Sequence, residues 1–323
     1  MLKRKIKGIK KEISALGMGC FGIGGPFMRS NGTYLAYGKV NDKESIKTIH
    51  RAIEIGINLF DTADIYGVGR SEKVLGEALK EYRESVVIAT KFGSVFDEGN
   101  PQTLDKKNTS SDYIRSAVEA SMKRLQTDYI DIYQLHSSQH DPNDAIRVQA
   151  ILEDLVEEGI IGGYGWSTDD PERMEIFAKG KNCNAVQYAM NITLRNNQMI
   201  QLCEKHNLIG LIRSPLASGI LTGKYNEATE IPNDHMLAGL DFSQKRYKKI
   251  VKILQELKNI LEQDGRSIIQ AQLGYLMATS KTTIPIPGAK TIEQIEENAK
   301  TLEFGPLSPE MVKKIDELWT DES

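Results

Sequence analysis

Short, almost wholly apolar runs alternate along this chain with longer stretches of helical period. The runs fall at residues 15–20, 57–61, 85–90, 129–135, 163–167, 184–188, 208–212 and 283–286. Runs this brief, apolar on consecutive rather than alternate positions, suit parallel strands buried on both faces. Between them the period lengthens. Over Ser111–Leu125, the residues Ile114, Ala117, Val118, Ser121, Met122 and Leu125 share one stripe, with Ser111 placed as N-cap. Asp42 precedes a helix carrying Ile46, Ile49 and Ile53, which Gly56 is placed to end, and Ser308-Pro309 reads as a cap followed by a first-turn proline.

Eight such strands with intervening helices, undivided by any linker, predict an α/β fold, a (β/α)8 TIM barrel spanning 1–323 as one domain. Two stretches fall outside the repeat. Residues 4–13 resemble a β-hairpin ahead of the first strand, and 242–263 form an extra helix near the C-terminus, after a loop rich in Gly, Pro, Asn and Asp.

Composition changes this picture little. With 40% hydrophobic and 26% charged residues and a net charge of −3, the chain is ordinary globular protein. No basic stripe points to nucleic acid, and no apolar run reaches the roughly 18 residues of a membrane span. The charged start, Met-Leu-Lys-Arg, lacks the apolar core of a secretion signal. Cys20, Cys183 and Cys203, odd in number and widely spaced, read as free buried thiols in a reducing cytoplasm rather than as a metal site. Oligomeric state is left open.

Gly17-Met-Gly19-Cys-Phe-Gly22 matches the dinucleotide fingerprint G-x-G-x-x-G, which needs a helix to begin within it. Here Ile23-Gly24-Gly25-Pro26 follows and opposes one, so a loop leaving the first strand is the better reading. The chemistry gathers elsewhere. Asp61 and Tyr66 follow the second strand, Lys91 the third, and His136 the fourth, at the strand ends where barrel enzymes keep their sites. A phenol of pKa about 10 is a poor acid. A nearby ammonium lowers that value, so Lys91 can activate Tyr66, with Asp61 holding Lys91 charged. His136 can donate to a substrate carbonyl, with His140 as its rival. Alone, each has a plainer explanation: a strand-end Asp caps turns, and a Lys snorkels. Their coincidence at three successive strand ends sets them apart. Neither nucleophile nor metal is supplied, so the hydride must come from a cofactor.

The segments Phe60-Asp61-Thr-Ala-Asp-Ile-Tyr66-Gly67, Ala89-Thr-Lys91-Phe-Gly and Asp128-Tyr-Ile-Asp-Ile-Tyr-Gln-Leu-His136 resemble those of the aldo-keto reductases. So do Ser214-Pro-Leu-Ala-Ser-Gly-Ile-Leu-Thr-Gly-Lys224-Tyr225 and Ile284-Pro-Ile-Pro287-Gly288-Ala. The resemblance implies reduction of an aldehyde or ketone, a small-molecule carbonyl substrate, with Asp61, Tyr66, Lys91 and His136 as tetrad and Tyr66 as general acid. It implies NADPH as cofactor, with NADH the alternative. Ser167 and Gln187 would hold the carboxamide. Ser214, Pro215, Leu216, Ser218 and Lys224 would wrap the pyrophosphate. Gly288, Lys290, Gln294, Glu297 and Asn298 would meet the adenosine end, with Lys290 best placed for a 2′-phosphate. An Arg often found at the position of Gln294 is missing. Arg213 stands where a tyrosine often stacks on the nicotinamide; its guanidinium can stack or form a salt bridge. With Tyr164-Gly-Trp166-Ser-Thr, this resembles a bacterial-type branch. Gly159-Ile-Ile-Gly162 departs from the usual Gly-Lys-Ile/Val-Arg at the barrel's bottom. Some relatives bind the cofactor to sense redox state, the competing function. Loops 21–37, 92–108 and 227–242 would wall the pocket, with Phe21, Phe27, Phe96 and Trp166 making it partly aromatic.

Overall fold

The structure, a computed structural model, describes residues 2–261 and 264–320; positions 262–263 of the expected extra helix lie outside these, as do 1 and 321–323 of the expected domain. Eight strands form one sheet: β1 (Met18–Gly19), β2 (Leu59–Asp61), β3 (Val87–Phe92), β4 (Ile132–Leu135), β5 (Tyr164–Ser167), β6 (Cys183–Ala189), β7 (Ile209–Arg213) and β8 (Thr283–Pro285). Each pairs in parallel with the next. The sheet closes on itself through Gly17 N→Pro285 O (2.9 Å), Gly19 N→Pro287 O (3.0 Å) and a parallel bridge between Gly19 and Gly288. The expected barrel is formed.

Alternation along the strands sorts the side chains. Leu59, Val87, Ala89, Ile132, Ala185, Ile209, Leu211, Ile284 and Ile286 cluster together, joined by Ile6, Ile9 and Ile13 from the N-terminal segment. That segment is the expected hairpin, with Lys3–Arg4 antiparallel to Ile13–Ser14. It plugs the barrel's floor with apolar side chains. The opposite strand faces pack on helices, as the separate cluster of Phe60, Ile88, Tyr133, Trp166 and Val186 with helix residues shows.

Helix ends fall close to expectation. Asn41 caps α1 (Asp42–Glu54), accepting from Lys43 N and Glu44 N, and Gly56 follows it at φ +88°. Helix α2 spans Arg70–Leu79. Ser110, not Ser111, caps α3 (Ser111–Leu125): Ser110 keeps non-helical backbone and accepts from Tyr113 N, whereas Ser111 is already helical. Ser308 Oγ accepts from Met311 N ahead of the helix Pro309–Thr320. The extra helix starts at Lys245 and runs to Leu261. Phe242 stays outside it because its ring stacks on Tyr225 at 4.9 Å while Asp241 turns the chain.

The glycine-rich segment now has a cause. A Cβ on Gly19 would sit 2.7 Å from Ile286 O, on Gly22 3.2 Å from Lys290 Cγ, and on Gly24 2.9 Å from the Tyr66 carbonyl carbon. These glycines let β1 meet β8 and let the loop press against the site; a single 3-10 turn, Phe21–Gly24, forms among them, but no α-helix. Gly19→Ala should therefore lower stability by about 1–3 kcal/mol through overpacking at the seam. Urea unfolding would show it, and an unchanged midpoint would mean that the closure is not tight there.

Candidate functional site

Above the apolar interior lies a polar layer, reached by taking two more residues along each strand. Leu59 is followed by Asp61, Ala89 by Lys91, Ile132 by Gln134 and Ala185 by Gln187, all at most 3% exposed. Lys91 Nζ donates to Asp61 Oδ2 (2.8 Å) and to the Thr62 carbonyl (2.5 Å). Asp61 Oδ1 accepts from Gln187 Nε2 at 2.7 Å and Gln134 Nε2 at 3.4 Å. The carboxylate is thus fixed by three strands besides its own.

Tyr66 arrives from the loop after β2, its phenol oxygen 3.3 Å from Lys91 Nζ. Its ring meets Phe21 edge-on at 5.0 Å and His136 at 6.0 Å. The backbone there is pinned by Gly67 (φ +58°), where any Cβ would lie 2.0 Å from Gly24 O. His136 continues the inward alternation of β4. Its backbone N–H donates to Phe92 O (2.7 Å), its backbone carbonyl accepts from Lys107 Nζ (2.8 Å), and its ring Nδ1 is buried with no partner. His140, the rival, bonds Asp144 instead.

Burial pulls the Lys91 ammonium down, but Asp61 and Tyr66 more than reverse this, so its pKa is raised and it stays charged. His136 is held well below its usual value by burial, then by Lys91, Lys107 and Arg213, so the imidazole is neutral. For Tyr66 the expected direction is corrected. Burial raises its pKa, Lys91 lowers it and Asp61 raises it again, leaving it above the ordinary phenol value. Low dielectric outweighs one ammonium that already has its own counter-ion. The phenol therefore carries its proton at neutral pH, beside a neutral imidazole and a charged amine. Such a group can protonate an oxygen that is gaining negative charge. Cys20, fully buried with its thiol pushed up by burial, supplies no nucleophile.

Around this centre the other expected residues spread along one rim. Ser167 lies beside Gln187 in register, 6% exposed. Arg213 ends β7 and pairs with Asp169, which also accepts from Ala189 N. From Ser214 the chain passes Pro215 and Leu216 into a short turn of helix, Ala217–Thr222. Ser214, Ala217 and Ser218 have positive φ (54°, 46°, 58°), costly for non-glycine residues and typical of functional loops. Lys224 follows, its Nζ 3.2 Å from where a Gly219 Cβ would stand. After β8, Gly288 O accepts from Asn298 Nδ2 (3.5 Å), and Gln294 Oε1 accepts from Lys290 N (2.8 Å). Glu297 accepts from Ser267 Oγ and Gln270 Nε2 at the N-terminus of the preceding helix, Ile268–Thr279. Lys290 borders a cleft of about 310 Å³ with Lys39, Asn41 and Glu44.

Two residues need correction or addition. Trp166 is no pocket wall: fully buried, it faces the helix layer, packs on Phe177 at 4.9 Å and donates to Ser137 O. Its neighbour Ser167 points inward, and strand alternation sends Trp166 the other way. Gln134, unremarked in the sequence, belongs to the polar layer, and its Oε1 is buried without a partner.

Comparison with known proteins gives the same direction. A family model described as "Aldo/keto reductase family" matches residues 16–320. The chain is 31% identical over 317 residues to "Uncharacterized oxidoreductase YqkF" of Bacillus subtilis, covering 98% of this chain and 95% of the other. It is 29% identical over 303 residues to the "NADH-specific methylglyoxal reductase" of Escherichia coli, covering 90% of each. Among solved structures, the glycerol dehydrogenase AKR11B4 from Gluconobacter oxydans superposes with TM-score 0.84 at 29% identity, covering 98% of this chain and 94% of that one.

Proposed function

The chain belongs to the aldo/keto reductase family of oxidoreductases, and from that premise we propose that it reduces a small aldehyde or ketone with Tyr66 as proton donor. The observation that carries this is the Tyr66 phenol 3.3 Å from an ammonium that Asp61 already neutralises, with the His136 imidazole beside it. A nicotinamide dinucleotide, when bound, supplies the hydride. The residues fit such a group: buried Gln134 Oε1 and His136 Nδ1 lack partners, the 214–219 backbone is turned into left-handed conformations, and Lys224 and Lys290 bring positive charge. Ser167 and Gln187 would hold the carboxamide, the 214–224 segment the pyrophosphate, and Gly288, Lys290, Gln294 and Asn298 the adenosine end.

In this reading His136, neutral, donates to the carbonyl oxygen and fixes it, and Tyr66 gives its proton as that oxygen becomes an alkoxide. Lys91 then stabilises the phenolate left behind. Phe21 flanks the acid and favours a compact carbonyl compound; the Escherichia coli relative's methylglyoxal is one candidate. The three buried thiols suit a reducing compartment, and among the described residues no helix is long and apolar enough to cross a membrane.

NADPH is the favoured cofactor because Lys290 and Lys224 lie close enough to depress the Lys290 pKa, after burial, and a 2′-phosphate would relieve that repulsion. Glu44 in the same cleft opposes it, and the relative named NADH-specific makes the choice worth measuring. Lys290→Ala should raise KM for NADPH about tenfold and leave NADH nearly unchanged, roughly one lost charge-assisted hydrogen bond. Equal effects on both would place Lys290 away from the 2′-phosphate. The reading as a whole is tested by following oxidation of NADPH and NADH with aldehydes, ketones and α-dicarbonyls. Cofactor binding with every carbonyl inert would favour a sensing barrel; no binding at all would overturn the assignment.

A further inference from the structure

Tyr37 lies in the long loop between β1 and α1 and connects groups that are otherwise far apart. Its carbonyl accepts from Lys290 Nζ at 2.5 Å. Its backbone forms an antiparallel bridge with His235, and the next segments are tied by Met236 N→Ala36 O at 2.7 Å. Its ring meets Phe21 at 5.4 Å and His235 at 5.4 Å, and Phe21 in turn packs on Tyr66. Its phenol lies near enough to Ser218, Tyr66 and Tyr225 to interact with each of them. Gly22 makes room for this arrangement, since its Cβ would stand 3.2 Å from Lys290 Cγ and 3.8 Å from the Tyr37 ring.

Tyr37 therefore stands among Tyr66, reached through Phe21, the 214–224 loop and Lys290. Those three landmarks are the acid, the proposed pyrophosphate wrap and the proposed adenosine end. On the premise of the function proposed above, we infer that Tyr37 is a further cofactor-binding residue, its phenol closing over the dinucleotide's pyrophosphate from the wall opposite Ser218. A phenol both accepts and donates, so this one can face the Ser218 hydroxyl and still give its own proton to a phosphate oxygen. The Lys290 ammonium has three donors, so it can keep the Tyr37 carbonyl and still meet a phosphate. The carbonyl bond aims Lys290, while the phenol adds a contact that NADPH and NADH would share.

Equilibrium binding to Tyr37→Phe tests this, with protein fluorescence as readout and three probes: NADPH, NADH and adenosine 2′-monophosphate. The substitution removes one oxygen and keeps the ring contacts with Phe21 and His235, so the thermal midpoint should match the parent's. Kd should rise about tenfold for both dinucleotides, the scale of one hydrogen bond to a charged group. Adenosine 2′-monophosphate, which has no pyrophosphate, should bind both proteins equally. Unchanged Kd for NADPH and NADH overturns the inference. So does a loss confined to NADPH and adenosine 2′-monophosphate, which would mean that Tyr37 serves only to aim Lys290. If the unaltered protein binds neither dinucleotide, it is the proposed function that has failed.

Discussion

Tyr66→Phe is expected to lower kcat for carbonyl reduction by between about 10² and 10⁴, the usual contribution of a placed general acid, with dinucleotide Kd unchanged within about twofold. Only the hydroxyl is removed. The ring stays between Phe21 and His136, and Lys91 keeps its bonds to Asp61 and the Thr62 carbonyl. The pH profile gives an independent reading. Reduction consumes the phenol proton, so kcat/KM falls as pH rises through the Tyr66 pKa. Burial sets that pKa above the ordinary phenol value, so the rate should stay level through neutral and mildly alkaline pH and decline only beyond about 10. His136, held neutral by burial and three cations, should add no break near its usual value of about 6.5. A variant retaining more than about a tenth of parental kcat, or a parent that declines already between pH 7 and 9, would remove Tyr66 from the role.

Lys91→Met is expected to abolish turnover and to cost about 3–5 kcal/mol of stability, because it strands a buried carboxylate. Asp61 is 3% exposed; without Lys91 it keeps only the amides of Gln187 and Gln134. The companion is the double variant Asp61→Asn/Lys91→Met. An asparagine oxygen still accepts from Gln187, and no unpaired charge remains. The double variant should be more stable than Lys91→Met by at least about 1 kcal/mol while staying inactive. Urea unfolding of the parent, Lys91→Met, the single variant Asp61→Asn and the double variant closes the cycle. If Lys91→Met unfolds where the parent does, or the double variant is the weakest of the set, Asp61 and Lys91 are not the buried pair described.

Why some of this was legible in the sequence and some not follows from range. Parallel strands buried on both faces leave an apolar run that marks their position, and β2, β3, β4 and β6 end where the runs end or within two residues of it. Two-residue alternation puts Asp61 above Leu59 and Lys91 above Ala89, so the acid and the amine could be placed facing inward together. The same alternation, run back from His136, reaches Gln134, and run forward from Trp166 turns that ring outward; both signals were present and unread. Thr109-Ser110-Ser111 offers adjacent cap hydroxyls, and only the backbone conformation chooses Ser110. Arg213 ends β7 and Asp169 lies in the loop after β5, 44 residues apart, with no local pattern to join them. Nor does sequence show how deeply a phenol will be buried, and burial decided the direction of the Tyr66 pKa.

The seam between Gly19 and Gly288 also sets an order of events. On a ribosome β1 emerges with β2, but its second neighbour, at Gly288, follows only after all the other strands. Until residue 288 has been made, β1 and the growing sheet each present an unpaired edge, the kind of surface that recruits other strands. The barrel can close only once β8 and Gly288 have been made, and the contact that closes it joins residues far apart in sequence. The glycines that bring the two edges together thus govern when the nascent chain ceases to be vulnerable to aggregation.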